Sequence, residues 1–308
     1  MTIRQVTVAG GDEQSVRKRL IDKKTYDTIL NHYSIIIAGR RFEMKIGFLQ
    51  MRVKFGEIKL NVKKALGLLE RVNDAVIVLP ELFNTGYIFR NKEELLSLSE
   101  KVPGGYTTKQ MKKIAKKNNL HLVFGLAQKV GEKVYNSAVY VSPKGKVDSY
   151  RKVHLFDREK LLFDHGRSFK TKSIKGAKLG FMVCFDWMFP EACRSLTLKG
   201  AQIICHPSNL ILPWGQDAMK LRCLENRVFG ITANRIGVER RGTVRLEFTG
   251  NSQVVSPDGE ILLSVGDRSE SLKVIDVDVS EADDKDINAN NNVIEDRFPS
   301  YYSMLTRK

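Results

Sequence analysis

The sequence predicts an α/β protein, and three observations lead there. Short unbroken apolar runs such as Ala75-Val-Ile-Val-Leu79 read as strands covered on both faces. Between such runs fall stretches with apolar residues at helical spacing, as in Val62, Ala65, Leu66, Leu69 and Val72. Residues able to do chemistry stand where the strands end, which is where open α/β sheets keep their sites.

The 308 residues allow one large domain or two small ones, with ample core either way. No apolar run reaches the roughly 18 residues that span a bilayer, and the N-terminus lacks a signal-peptide core, so a cytoplasmic protein is expected. The four cysteines form no C-x-x-C pair and no Cys/His cluster at zinc spacing. A disulfide framework and a metal site are therefore not expected, and neither a P-loop nor a dinucleotide fingerprint is present. The net charge of +16 could favour nucleic acid. Its lysines are spread along the chain, however, as with Lys112, Lys113, Lys116 and Lys117 on one exposed helix face, so nucleic acid is not the expected partner.

Residues 1–43 carry eight Lys/Arg and five Asp/Glu and show no amphipathic period. They read as an extension of uncertain status, either accessory or a consequence of translation starting at Met44, with the second reading preferred; the domain proper is 44–308. A strand at 44–50 opens it, and the helix with Val62 to Val72 follows. The strand 75–79 stops at Pro80 and delivers Glu81. Helices are expected near 91–99 and 107–118, then strands at 120–127, 133–141 and 146–150, the last two joined by the turn Pro143-Lys-Gly145. Lys152 lies just past the third of these, and 157–166 reads as a loop containing Glu159. The run Phe181-Met-Val183 reads as a buried strand ending at Cys184, with Pro190 suited to the first turn of a helix over 191–198. A strand at 201–205 runs into His206-Pro-Ser-Asn209, a helix spans 216–229, and strands follow at 230–234, 252–256, 261–264 and 272–277. The polar tail ends in the aromatic Phe298-Pro-Ser-Tyr-Tyr302, expected to dock on a partner subunit.

Cys184 at a strand-to-helix turn is placed for chemistry, because N–H groups at a helix start lower a thiol pKa and bind an oxyanion. A free cysteine is, however, most often a small apolar residue. Two other strand ends change that reading: Glu81 supplies a carboxylate and Lys152 an ammonium. His154 and His206 read as packing or hydrogen-bonding residues, and Tyr87, Asn209 and Trp214 as candidate pocket lining.

Three motifs carry a resemblance: Leu79-Pro-Glu81-Leu-Phe83, Tyr150-Arg-Lys152-Val-His-Leu-Phe156 and Cys184-Phe-Asp-Trp187 with Phe189-Pro-Glu191. Tyr135-Asn-Ser-Ala138, His206-Pro-Ser-Asn209 and Arg222 with Glu225-Asn-Arg227 support them. On these residues the chain resembles the nitrilase, or carbon–nitrogen hydrolase, superfamily over about 44–302. The resemblance implies a four-layer α-β-β-α sandwich, a homodimer packed through helices, and a thiol hydrolase without a cofactor. It implies Cys184 as nucleophile, Glu81 as general base, and Lys152 with the backbone N–H of Phe185 as oxyanion donors. Arg158-Glu159-Lys160 through Gly166 resembles the family's Glu-Lys-x-x-Phe-x-Pro-Gly pattern, which makes Glu159 the second site carboxylate. The chain departs from the family at His165, where the pattern has proline, and at Gln128, where many relatives have glutamate. The implied substrate is a small aliphatic amide, with nitriles and N-carbamoyl compounds as alternatives. A non-catalytic binding protein with a basic surface is the alternative from another class, and a binder has no reason to keep Glu81, Lys152 and Cys184 together.

Overall fold

In the computed structural model, which describes residues 43–307, the alternation of each strand sorts its side chains between two cores. The expectation about residues 1–43 falls, but for Glu43, outside the described residues. The strands run β1 (Glu43–Gln50), β2 (Ala75–Val78), β3 (His121–Val130), β4 (Lys133–Val141), β5 (Val147–Arg151), β6 (Thr171–Ile174), β7 (Ala177–Phe181), β8 (Ile203–Ser208) and β9 (Phe229–Asn234). Then come β10 (Ile236–Arg241), β11 (Val244–Thr249), β12 (Gln253–Val255), β13 (Ile261–Ser264) and β14 (Ser271–Asp278). One sheet has the order β14-β1-β2-β3-β4-β5 and the other β13-β12-β9-β8-β7-β6, with β10 and β11 forming a separate hairpin. Each sheet is built on three parallel strands, β1 to β3 and β7 to β9, flanked by antiparallel neighbours.

The two sheets face each other. On β2, Val76 and Val78 join the inner core with Leu179, Phe181 and Ile204 of the other sheet. Ile77 and Leu79 point the other way, into an outer core with α1 (Ile58–Leu69) and, beyond the short α2 (Lys92–Leu98), α3 (Tyr106–Lys117). That alternation explains why the run 75–79 is apolar throughout. On the far side, beyond the four-residue α4 (Glu159–Leu162), α5 (Pro190–Leu198) and α6 (Gly215–Asn226) cover the second sheet through Ala192, Leu196 and Met219. The result is the four-layer sandwich. Among the described residues no helix is long and apolar enough to cross a membrane.

Several elements differ from the sequence reading. The strand before Cys184 lies at 177–181, so Met182 and Val183 are buried beyond its end, and the chain turns into a 3₁₀ helix at Cys184 itself. The loop expected at 157–166 contains α4, and β8 continues through His206-Pro-Ser208. The strands β6, β10 and β11 were not expected. The aromatic tail forms a 3₁₀ segment, Pro299–Thr306, with Phe298, Tyr301 and Met304 well exposed.

Candidate active site

Glu81, Lys152 and Cys184 leave the C-terminal ends of β2, β5 and β7, and the two facing sheets bring those ends together. Glu81 sits in a tight turn in which Leu82 adopts φ +48°. Strand β3 approaches that turn so closely that a Cβ on Gly125 would lie 2.3 Å from the Glu81 Cα. Only glycine fits there, and its N–H donates to the Pro80 carbonyl at 3.1 Å. Lys152 is held by its own backbone. Its N–H donates to Asn136 O at 2.8 Å, and its carbonyl accepts from Gly166 N at 2.7 Å.

Inside this frame one ammonium bridges two carboxylates. Lys152 Nζ lies 2.9 Å from Glu81 Oε1, and 2.9 and 2.8 Å from the two oxygens of Glu159. Asn136 Nδ2 donates to the same Glu81 Oε1 at 2.6 Å, while Glu81 Oε2 is buried with no hydrogen-bond partner. Glu159 also accepts from the Tyr87 hydroxyl at 2.7 Å and from Phe156 N at 3.1 Å. Lys152 and Glu81 are fully buried and Glu159 nearly so. Burial pulls the Lys152 pKa down, but the charges of Glu159 and Glu81 outweigh it and hold the ammonium above its usual range. Burial lifts Glu159 above the usual carboxylate range, with Lys152 opposing and Glu81 adding to the lift.

Cys184 occupies the left-handed region at φ +42°, a conformation that costs a residue with a side chain about 1–2 kcal/mol. Asp186 ties this turn to the lysine strand. Its Oδ2 accepts from Val183 N and from the Tyr150 hydroxyl, both at 2.8 Å, and its Oδ1 lies 2.8 Å from His154 Nδ1. From the other side, His206 Nε2 donates to the Cys184 carbonyl at 2.8 Å, and burial depresses that imidazole to about 4, so it is neutral. The two histidines are thus hydrogen-bonding residues. The expected lowering of the thiol pKa is not found. Burial and the nearby Glu81 charge push the thiol well up, against Lys152 and the Asn209 backbone N–H, which pull it down. The helix start does not offset burial and the nearby Glu81 charge, which together favour the protonated thiol.

Of the candidate lining residues, Asn209 borders a cavity with Cys184, Phe156 and Phe185, and Tyr87 borders the adjoining one with Glu159. Trp214 precedes α6 and is 59% exposed, and the indole bordering the Cys184 cavity is that of Trp187. Gln128 is buried and accepts from Ser137 Oγ at 3.0 Å. Sequence reasoning missed the role of Asp186, whose signal was a carboxylate inside an otherwise apolar stretch. It also missed Glu239, which accepts from the N–H groups of Tyr87 and Ile88 and pairs with the buried Arg235 at 2.7 Å. Among the described residues no group of His, Cys, Asp and Glu could hold a metal ion.

A buried cysteine, a lysine and two carboxylates at the strand ends of a four-layer sandwich are groups that a hydrolytic enzyme could use. Comparison with known proteins agrees. Residues 45–285 match the family model described as carbon-nitrogen hydrolase. A nitrilase of Pyrococcus abyssi is 40% identical, covering 84% of this chain and 99% of its own. An (R)-stereoselective amidase of a Pseudomonas species is 28% identical over 77% of this chain and 86% of its own. Among solved structures, a carbon-nitrogen hydrolase from Helicobacter pylori superposes with a TM-score of 0.76 at 26% identity, covering 87% of this chain and 99% of that one. The chain belongs to the carbon–nitrogen hydrolase family, of the nitrilase superfamily, and is an enzyme of that class.

Proposed function

We propose that this hydrolase is a thiol amidase, cleaving a small aliphatic amide to the acid and ammonia through a thioester on Cys184. The observation that carries the reading is the single ammonium of Lys152 between Glu81 and Glu159, beside a thiol that has to be deprotonated and a Glu81 oxygen with nothing bound to it.

Glu81 Oε2 takes the thiol proton as Cys184 Sγ bonds to the substrate carbonyl carbon. The carbonyl oxygen gains the negative charge and is met by Lys152 Nζ and the backbone N–H of Phe185, in the first turn of the 3₁₀ helix. The C–N bond breaks as the proton on Glu81 passes to nitrogen, and ammonia leaves. Water then gives a proton to Glu81 and its hydroxyl to the thioester carbon; the acid departs and the proton returns to sulfur. Glu159 and Tyr87 hold Lys152 in place.

Hydrolysis of nitriles by the same nucleophile is the second reading, favoured by the 40% identity to a protein named nitrilase; N-carbamoyl compounds would be attacked in the same way. A binding protein is disfavoured on energetic grounds. Three buried ionisable side chains are costly to keep unless chemistry uses them. A homodimer in the cytoplasm completes the proposal, with the exposed Phe298, Tyr301 and Met304 as surface for a second copy. The test is intact-protein mass spectrometry with amides, nitriles and N-carbamoyl compounds while ammonia is followed. An acyl adduct lost in Cys184→Ala, together with ammonia from amides, is the expected result; ammonia release by Cys184→Ala would overturn it.

A further inference from the structure

The protein buries seven asparagines among its described residues, and in six of them the side-chain amide is put to use. Asn61, Asn84, Asn118, Asn136, Asn226 and Asn234 each donate or accept at least one hydrogen bond. Asn209 differs. It is 3% exposed, yet neither Oδ1 nor Nδ2 has a partner. The amide does not hold the chain in place, because the backbone on both sides is held by other bonds. Ser208 pairs with Asn234 in the sheet, Leu210 N donates to Asn234 Oδ1 at 2.8 Å, and Leu210 O accepts from Thr249 N at 2.9 Å. A buried amide group left unpaired is unfavourable unless something arrives to satisfy it.

The cavity that Asn209 and Cys184 share is about 20 Å³ and otherwise walled by Phe156, Phe185, Trp187, Leu210, Ile211 and Leu212. It adjoins a second space of about 70 Å³ through Phe156 and Ile211. No charged side chain lines the smaller cavity, so a charged acyl group would lose its water there without gaining a partner. The smaller cavity therefore suits an uncharged group beside Cys184, while the adjoining space, bordered by Asp157, Arg158 and Glu159, leaves room for only a short acyl chain. Asn209 is the only side chain of that wall able both to donate and to accept a hydrogen bond through an amide.

We propose that Asn209 determines specificity in this site, pairing its own amide with the amide group of a short, uncharged substrate and thereby selecting against the corresponding nitrile. Nδ2 donates to the carbonyl oxygen and Oδ1 accepts from the substrate N–H. A nitrile nitrogen only accepts, so Oδ1 stays buried and unpaired in that complex. This inference rests on the thiol amidase reading above.

The experiment compares propionamide with propionitrile as substrates of the parent enzyme, Asn209→Leu and Asn209→Ala. Ammonia release is followed, and circular dichroism checks the fold. The parent should prefer the amide. In the variants kcat/KM for the amide should fall about tenfold to a hundredfold, the range expected for one lost buried pairing, while that for the nitrile does not fall. A general defect of folding or of Cys184 would lower both together and leave their ratio unchanged. If the parent is acylated on Cys184 and both variants keep its amide-to-nitrile ratio, or the parent prefers the nitrile, the role of Asn209 is refuted. If neither compound acylates Cys184 in the parent, the amidase reading fails and the inference falls with it. The alanine variant covers the case in which leucine does not fit.

Discussion

Replacing Lys152 with methionine keeps an unbranched side chain in a fully buried slot and removes its charge. Glu81 and Glu159 then lose the ammonium that each contacts at 2.9 Å. Breaking a buried pair from one side costs about 3–5 kcal/mol, because the remaining charge is left uncompensated. Against a net stability of about 5–15 kcal/mol, the variant should fold but be clearly weakened. Its deficit should depend on pH. Without the ammonium, nothing opposes the burial and the Glu81 charge that lift the Glu159 carboxyl above its value in the unfolded chain. Groups shifted that way favour the folded state when protonated and lose that contribution as pH rises through the folded pKa. Urea denaturation should therefore show a large deficit at about pH 8 and a smaller one at about pH 5. The double variant Lys152→Met/Glu159→Gln should regain part of the stability at the higher pH. On the mechanism proposed above it should not regain activity, since a lost oxyanion donor costs about a hundredfold to a thousandfold in kcat. An equal deficit at both pH values, or none, would show that Lys152 does not neutralise the two glutamates.

The buried His206 protonates only near pH 4 in the fold and near 6.5 when unfolded. Stability should thus decline as pH falls from about 6.5 towards 4, by up to about 3 kcal/mol from this residue alone. Denaturation curves of His206→Gln should be correspondingly flatter over that interval, and an unchanged slope would count against the neutral, depressed imidazole. Gly125→Ala places a Cβ 2.3 Å from Glu81 Cα and 2.5 Å from Leu82 N, both backbone atoms that cannot step aside. Overpacking of that kind costs about 1–3 kcal/mol, so a lower melting temperature and a loss of turnover larger than the stability change are expected. Tyr87→Phe removes the 2.7 Å bond to Glu159 without changing shape. A bond to a charged group is worth about 1.5–3 kcal/mol, so kcat should fall by about tenfold or more while KM changes little.

How far the sequence could be read depended on whether a residue's task is local. The run 75–79 announces a strand and Glu81 announces its end, because apolar continuity and Pro80 are local properties. The same holds for Lys152 after β5. By contrast, β10 reads Ile-Gly-Val-Glu-Arg-Arg, with neither an apolar run nor a period of two, so nothing local marks it as a strand. The hairpin's signals were the alternation Val244-Arg-Leu-Glu-Phe248 of β11 and the two-residue turn Gly242-Thr243 before it, with Gly242 at φ +59°. Asp186 and Glu239 were harder to read for another reason: besides the near partners Val183 N and Arg235, they bond to Tyr150 and Tyr87, 36 and 152 residues away, and only the folded chain brings those groups together. The acidity of Cys184 depends in the same way on what surrounds it. A helix start is visible in sequence, whereas the buried Glu81 charge near the thiol is not.

The proline replaced by His165 shows how a departure from the family pattern is weighed once the fold is known. His165 is exposed, whereas Gly166 is buried. The glycine donates to Lys152 O at 2.7 Å, and a Cβ there would lie 2.0 Å from Arg151 O. What the loop has to do is bring a bare backbone against the strand that carries Lys152. Glycine does that directly, and the residue before it only has to stay out of the way. Histidine at that position therefore leaves Glu159 and Lys152 in contact, and substituting Gly166, rather than His165, is the change that should pull them apart.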